Sequence, residues 1–104
     1  MERLTIQTHQ KREIIDITDE VQLALASKTG VCHLTVLHTT AALTTADLDP
    51  GTDLDMLDAF EALIPKLCYR HSHDASHVPD HILSALIGTS VMQPVEKGQL
   101  VLGT

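Results

Sequence analysis

The run of residues 31–37 constrains the fold more than any other segment, because it is β-branched and largely apolar. Such a run predicts a buried central strand. Alternation places its side chains on two faces: Cys32, Leu34, Val36 and His38 on one, and Val31, His33, Thr35 and Leu37 on the other. Helical patterns lie on both sides of this run, so the chain is neither all-helical nor all-β.

Three helices are predicted from spacing and from terminal signals. Thr18 is predicted to cap the first, with two acidic residues directly after it. The second opens on residues 52–55, which match a capping box with aspartate in place of glutamate, and it runs as far as Pro65. The third has Pro79 in its first turn and ends at Gly88.

Further strands are predicted around these helices. Residues 4–8 and 13–17 alternate in polarity and are predicted to pair through a polar turn. Residues 90–95 and 100–102 flank a glycine-containing turn and predict a hairpin. Residues 39–45 are compatible with a bend or with another strand. The order of elements predicts an α+β fold with a mixed, largely antiparallel sheet.

Composition limits both the fold and the partners. The 104 residues are 43% hydrophobic and 20% charged, which predicts one soluble globular domain over residues 1–104. A net charge of −7 and only two aromatic residues argue against nucleic-acid binding. No apolar run is long enough for a membrane span, and Cys32 and Cys68 form no CxxC pair. We therefore expect a cytoplasmic protein with reduced thiols.

Four of the seven histidines are concentrated in one short segment: His71, His73, His77 and His81. Neutral imidazole is the commonest protein ligand for transition metals, so this cluster predicts a divalent metal site. Zinc suits such nitrogen ligands, although the spacing matches no standard zinc motif. The alternative interpretation is a solvated polar loop that is rich in histidine.

A second group of candidates lies between the predicted central strand and the second helix. His38 ends the strand and is a candidate catalytic residue, the alternative being an edge histidine with a structural partner. Asp47 and Asp49 precede the helix and are candidates to orient a histidine, act as a general base or hold magnesium. Helix capping explains Asp53 and Asp55 without any function.

Several motifs occur together in one order. They are LHTTAALT at residues 37–44, DP at 49–50, YRH at 69–71, PDHI at 79–82, LIGTS at 86–90 and GQLVLGT at 98–104. In these motifs the chain resembles the YjbQ-like family, whose members are often labelled secondary thiamine-phosphate synthases. The resemblance runs from about residue 31 to the last residue.

The resemblance implies a sandwich-like α+β domain that forms a homotrimer with its sheets packed around the threefold axis, and a site of histidines and acids near a subunit boundary. His38, His71 and His81 match the family's histidine positions, and Asp49 and Asp55 match its acids. His73 and His77 go beyond the simplest family pattern. Residues 44–47 are about one residue shorter than the family's segment, and the resemblance implies that the chain lacks the family's closing C-terminal strands.

Three functions follow as hypotheses. The first is a metal-binding cytoplasmic protein with weak thiamine-phosphate synthase-like transferase activity, in which His38 and Asp49 are catalytic and zinc or magnesium is the cofactor. The second is a trimer that binds a metal or a small ligand without catalysis. The third is an interaction module. All three share the prediction of a cleft that joins His38 to residues 71–81.

Overall fold

The computed structural model describes residues 1–71 and 73–103 and contains three helices and three strands. In chain order they are α1 (Thr18–Leu25), β1 (Gly30–Thr35), α2 (Thr52–Leu63), α3 (Val78–Ile87), β2 (Ser90–Glu96) and β3 (Gln99–Leu100), with a 3₁₀ turn at Ala75–His77 before α3. The strands form one sheet in the order β1-β2-β3. This confirms the α+β class. Among the residues described, no helix has the length and apolar character needed to span a membrane.

Strands β2 and β3 form the predicted hairpin. They pair antiparallel, with Val95 opposite Leu100 and Glu96 opposite Gln99. The two residues between them, Lys97 and Gly98, have φ angles of 50° and 79°. Positive φ at both central positions is typical of the type I′ turn, which matches the twist of the flanking strands. The glycine in the sequence therefore marked this turn correctly.

Helix α3 begins and ends as predicted, with Pro79 in its first turn and Gly88 as its C-cap residue. The predicted N-caps of the other two helices are wrong. Thr18 lies inside α1, and its N–H and Oγ1–H both donate to the Asp16 carboxylate, at 2.9 and 2.6 Å. The N-cap of α2 is Gly51, with a left-handed backbone, so no capping box forms.

The predicted N-terminal strand pair is wrong, because neither residues 4–8 nor residues 13–17 form a strand. A strand requires a ladder of hydrogen bonds to a neighbour, and a polarity pattern does not supply that neighbour. The connecting segment contains none of the turn residues that favour a tight hairpin. Instead, the Glu13 carboxylate accepts a 2.7 Å hydrogen bond from the backbone N–H of His9. Residues 39–45 also form no strand.

Strand β1 has the predicted alternation but not the predicted burial. Cys32, Leu34 and Val36 are half-buried, whereas Val31 and Leu37 are 68% and 72% exposed. The prediction of a buried central strand is wrong, since β1 lies at one end of the strand order. A run of β-branched residues predicts a strand, but its place in the sheet depends on distant segments.

The chain divides into two compact units, and the prediction of a single domain over residues 1–104 stays a prediction. One unit comprises residues 1–33 together with the chain from Met92 onward, and the other comprises residues 34–91. In the first unit α1 packs on β3, and Val21 and Val95 are buried. Gln22 adds a 3.0 Å hydrogen bond there, in which its Oε1 accepts from the backbone N–H of Leu100.

Candidate functional site

The second unit carries a segment, residues 39–43, that is attached to α3. Three hydrogen bonds attach it: His81 Nδ1 to the Thr39 carbonyl at 3.0 Å, Ser84 Oγ to the Ala41 carbonyl at 2.6 Å, and the Leu43 N–H to the Gly88 carbonyl at 2.9 Å. His81 and Ser84 are three positions apart and therefore share one face of the helix.

The bond to Thr39 fixes the proton of the His81 ring. A carbonyl oxygen only accepts hydrogen bonds, so Nδ1 of His81 must donate and therefore carries the hydrogen. In the neutral ring the other nitrogen, Nε2, then holds a lone pair. His81 is thus a hydrogen-bond acceptor toward any group that reaches its Nε2.

The ring of His38 has the opposite polarity. Its Nδ1 accepts from the backbone N–H of Thr40 at 3.1 Å and lies 2.9 Å from the Thr40 hydroxyl. An amide N–H only donates, so Nδ1 holds the lone pair and Nε2 of the neutral ring carries the hydrogen. His38 is thus a hydrogen-bond donor through Nε2.

His71 has the same polarity as His38 and contacts His81 directly. Its Nδ1 accepts from the backbone N–H groups of His73 and Asp74, at 3.2 and 2.9 Å. Its ring stacks on that of His81, with centroids 5.2 Å apart and planes 14° from parallel. His71 therefore joins the segment before α3 to the His81 ring.

His38 and His81 line one cavity of about 460 Å³ in the second unit. The other lining residues are Val36, Thr39, Ser84, Ala85, Gly88 and Thr89. None of the lining side chains is an aspartate, glutamate, lysine or arginine. The structure therefore brings together His38 and the end of the histidine cluster, which are distant in the sequence.

Ser84 is a buried polar residue of the lining that sequence reasoning missed. It is 5% exposed and lies in the otherwise apolar stretch of α3. The available signal was a hydroxyl three residues after His81, on the same helix face. Its hydroxyl proton goes to the Ala41 carbonyl, so Oγ presents only acceptor capacity to other groups.

The predicted acids lie outside the cavity lining. Oδ2 of Asp47 accepts from the backbone N–H of Asp49 at 3.2 Å and from the Thr52 hydroxyl at 3.4 Å, which orders the turn before α2. Asp49 is exposed, and its carbonyl accepts from the Thr52 N–H at 2.9 Å. Asp55 is also exposed, in the first turn of α2. The structure does not bring Asp49 together with His38.

His73 and His77 also lie outside the cavity lining. His73 is exposed, and Nε2 of His77 lies 3.3 Å from Oδ2 of Asp74. Asp74 caps the 3₁₀ turn by accepting from the backbone N–H and hydroxyl of Ser76, at 2.9 and 2.6 Å. These two bonds hold the pKa of Asp74 below its ordinary value, with the hydroxyl as the larger cause. His77 therefore has an acidic neighbour within the turn, and His73 lies on the surface.

The lowered pKa of the Asp74 carboxyl leads to a prediction about stability at acidic pH. Because the folded-state pKa of Asp74 is depressed, its contribution to stability is present above the ordinary carboxyl pKa and is lost as pH falls through the folded value. We expect the amide signal of Ser76 to shift in NMR spectra over that acidic range. Asp74→Asn keeps a side-chain oxygen that accepts but cannot titrate, so the shift should disappear. A persistent shift in this variant would contradict the assignment.

Metal binding by the four histidines stays a prediction, and the described residues do not fit a divalent ion as they stand. Within residues 1–71 and 73–103, no three His, Cys, Asp or Glu side chains are grouped to hold a metal. Nδ1 of His71 is occupied by two amide donors, so Nε2 carries a hydrogen where a metal ligand needs a lone pair. Coordination would require the His71 ring to leave this position.

Elemental analysis of protein purified without an affinity tag tests this directly. We expect zinc and magnesium well below one atom per chain, because no three His, Cys, Asp or Glu side chains of the described residues are grouped to hold an ion. The matched sample is a His71→Asn, His81→Asn double variant. One zinc atom per chain in the wild type, lost in the double variant, would restore the metal site.

The family model described as "UPF0047 protein YjbQ-like" matches residues 2–104 of the chain. The chain belongs to this YjbQ-like family. A UPF0047 protein of Archaeoglobus fulgidus is 39% identical over 102 residues, which cover 97% of this chain and 81% of the relative. The UPF0047 protein YugU of Bacillus subtilis is 35% identical over 109 residues, covering 100% of this chain and 82% of the relative.

Solved structures of YjbQ-like proteins share the fold. A hypothetical protein of Aeropyrum pernix superposes with a TM-score of 0.82 at 26% identity, covering 95% of this chain and 77% of its own. A conserved hypothetical protein of Thermus thermophilus has a TM-score of 0.76 at 34% identity, covering 86% and 71%. A YjbQ-like protein of Sulfolobus solfataricus, described as of unknown function, has a TM-score of 0.79 at 28% identity, covering 95% and 75%. The comparisons establish the family and the fold of the chain but do not assign it an activity.

Proposed function

We propose that the cavity lined by His38 and His81 binds a small polar ligand through the Nε2 atoms of these two rings. One observation carries the proposal: each ring has its Nδ1 engaged by the neighbouring backbone, while Nε2 has no partner among the described residues. Polar atoms that converge on a concave surface are typical of ligand sites. This corresponds to the second hypothesis from the sequence, without the metal.

The cavity lining contains no basic side chain, which favours ligand binding as the function over a reaction that releases pyrophosphate. Departure of pyrophosphate needs positive charge from a cation or from basic side chains. The lining contains no lysine or arginine, and the whole chain has a net charge of −7. The thiamine-phosphate synthase-like activity rests on the family resemblance alone and stays a prediction. A direct assay for thiamine phosphate tests it.

Ligand binding is tested by NMR on protein labelled with ¹⁵N-histidine, using a panel of small metabolites. A true ligand should shift the ring signals of His38 and His81 together, because both line the same cavity. Loss of one such hydrogen bond is worth about 1 kcal/mol, so His38→Asn and His81→Asn should each weaken binding by roughly fivefold to tenfold.

The control for this experiment is His9→Asn, an exposed histidine of the other unit. It should bind as the wild type does. If all three variants bound the ligand with equal affinity, the rings of His38 and His81 would not be part of the binding site. Failure of every metabolite in the panel to shift either ring would count against a ligand site in this cavity.

We also propose a homotrimer, as the family resemblance implies. Large apolar side chains are exposed in the single chain, and Val31, Leu37 and Met92 are 68%, 72% and 66% exposed. Burial of such side chains between subunits would be favourable. Light scattering should give three times the 11.3 kDa chain mass. A mass of one chain would contradict the proposal.

A cytoplasmic location also stays a prediction.

A further inference from the structure

We infer that the cavity takes an uncharged ligand that carries hydroxyl groups, which donate to Nε2 of His81 and accept from Nε2–H of His38. This inference rests on the proposed ligand site and adds the chemical class of the ligand. It follows from the opposite polarity of two rings that line one cavity.

The two polarities are imposed by backbone groups whose own roles are fixed. The Thr39 carbonyl can only accept, which leaves Nε2 of His81 as an acceptor. The Thr40 amide can only donate, which leaves Nε2 of His38 as a donor. Neither assignment depends on the ligand, so the cavity has its hydrogen-bonding pattern in advance.

A hydroxyl matches this pattern because it donates once and accepts through two lone pairs. A fully deprotonated oxyanion, such as sulfate, only accepts, so it would face the lone pair of His81. An ammonium group only donates, so it would face the Nε2–H of His38. Either charged group therefore leaves one ring mismatched, and an unmade hydrogen bond in such a site is costly.

The rest of the lining favours the same class. No charged side chain lines the cavity, so no fixed charge is available to pair with an ionic ligand. Ser84 Oγ has already donated its hydrogen to the Ala41 carbonyl and presents only acceptor capacity. A ligand with several hydroxyl hydrogens, such as a polyol, satisfies acceptors of this kind, whereas an oxyanion cannot.

His71 acts as a positioning residue for the acceptor ring. It stacks on His81 with centroids 5.2 Å apart, and its own ring is held by the amides of His73 and Asp74. A ring packed in this way resists the rotation that would exchange its two nitrogens. The stack therefore preserves the direction in which His81 presents Nε2.

The first measurement determines the tautomers by long-range ¹H–¹⁵N NMR, at a pH where the rings are neutral. We expect Nδ1–H for His81 and Nε2–H for His38 and His71. The same sample is then titrated with glycerol and, separately, with inorganic sulfate, which carries no hydrogen to donate. Glycerol at millimolar to molar concentrations should shift the rings of His38 and His81, and sulfate at the same concentrations should not.

Asparagine variants separate the structural bond of each ring from its role toward the ligand. His81→Asn retains an amide N–H for the Thr39 carbonyl, and His38→Asn retains an oxygen for the Thr40 amide, but both lose Nε2. Each should raise the glycerol concentration needed to shift the remaining ring by roughly fivefold to tenfold, while the thermal unfolding temperature stays within a few degrees. His71→Asn keeps the bonds to the two amides and loses the stack, so His81 should show a mixture of tautomers.

The outcomes distinguish this inference from the proposed function. An Nε2–H tautomer of His81 would overturn the inference, and so would sulfate binding in preference to glycerol. In both cases a ligand site at these rings would stand. If neither probe shifts either ring, the hydroxyl class is wrong, and the metabolite panel decides separately whether the cavity binds anything.

Discussion

Gly98→Ala is expected to lower the free energy of unfolding by about 3 kcal/mol, the largest effect of any single methyl group in this chain. A β-carbon at this position would lie 1.8 Å from the carbonyl oxygen of Ala26, which is backbone and cannot rotate away. The residue also has a φ of 79° in the hairpin turn, where side chains are strained. The backbone N–H of Gly98 donates to the Lys28 carbonyl at 2.8 Å, so the turn cannot move away without breaking this bond.

Two other glycines separate the clash from the strain. Gly51 has a φ of 92°, and a β-carbon added there would meet nothing within 4 Å, so Gly51→Ala should cost about 1 kcal/mol from strain alone. Gly103→Ala has open space and no positive φ, so it should be neutral within about 0.5 kcal/mol. Chemical denaturation of the three variants measures the series. A Gly98 variant no less stable than the Gly51 variant would show that the close approach to Ala26 is absent.

Ser84→Ala has the second largest expected effect, a loss of about 2 kcal/mol, because it leaves the Ala41 carbonyl without its partner. Ser84 is 5% exposed, so water has little access to replace the hydroxyl. The central bond of the three that fasten residues 39–43 would be lost. We therefore expect faster hydrogen exchange at the Leu43 amide, whose bond to Gly88 is the next one along the segment.

Ser90→Ala is the matched control, since Ser90 is an exposed serine of the same unit. It should change the free energy of unfolding by less than about 0.5 kcal/mol and leave the Leu43 amide protected. Denaturation and exchange measured together make the test specific. A Ser84 variant with wild-type stability and wild-type protection of Leu43 would contradict the described attachment of this segment.

Local signals in the sequence predicted the elements that depend on local chemistry. Pro79 and Gly88 marked the ends of α3, and Gly98 marked the hairpin, because each acts through its own backbone. The prediction of the N-terminal strands was wrong because a strand depends on a partner elsewhere in the chain. Pairing of residues 4–8 and 13–17 requires a partner that the polarity pattern cannot supply.

The candidate site likewise combines features that the sequence predicts with features that depend on contacts between distant residues. The sequence marked His38 and His81 by residue type and by family resemblance, but their tautomers depend on which backbone groups they meet. Thr39 and His81 are 42 positions apart, and no spacing rule predicts that bond. Asp47 and Asp49 were both candidates, and the sequence did not show that the Asp47 carboxylate orders the turn before α2. The catalytic role of Asp49 rests on the family resemblance and stays a prediction.

Residues 39–43 meet α3 through two carbonyls and one amide, and none of the three bonds uses a side chain of the segment itself. Ala42 lies between two of the attached residues and is exposed. Sequence drift at position 42 is therefore free of the constraint that holds the backbone, whereas proline at position 43 would remove a required N–H. The backbone of residues 39–43 can therefore stay attached to α3 while the exposed side chain at position 42 is substituted.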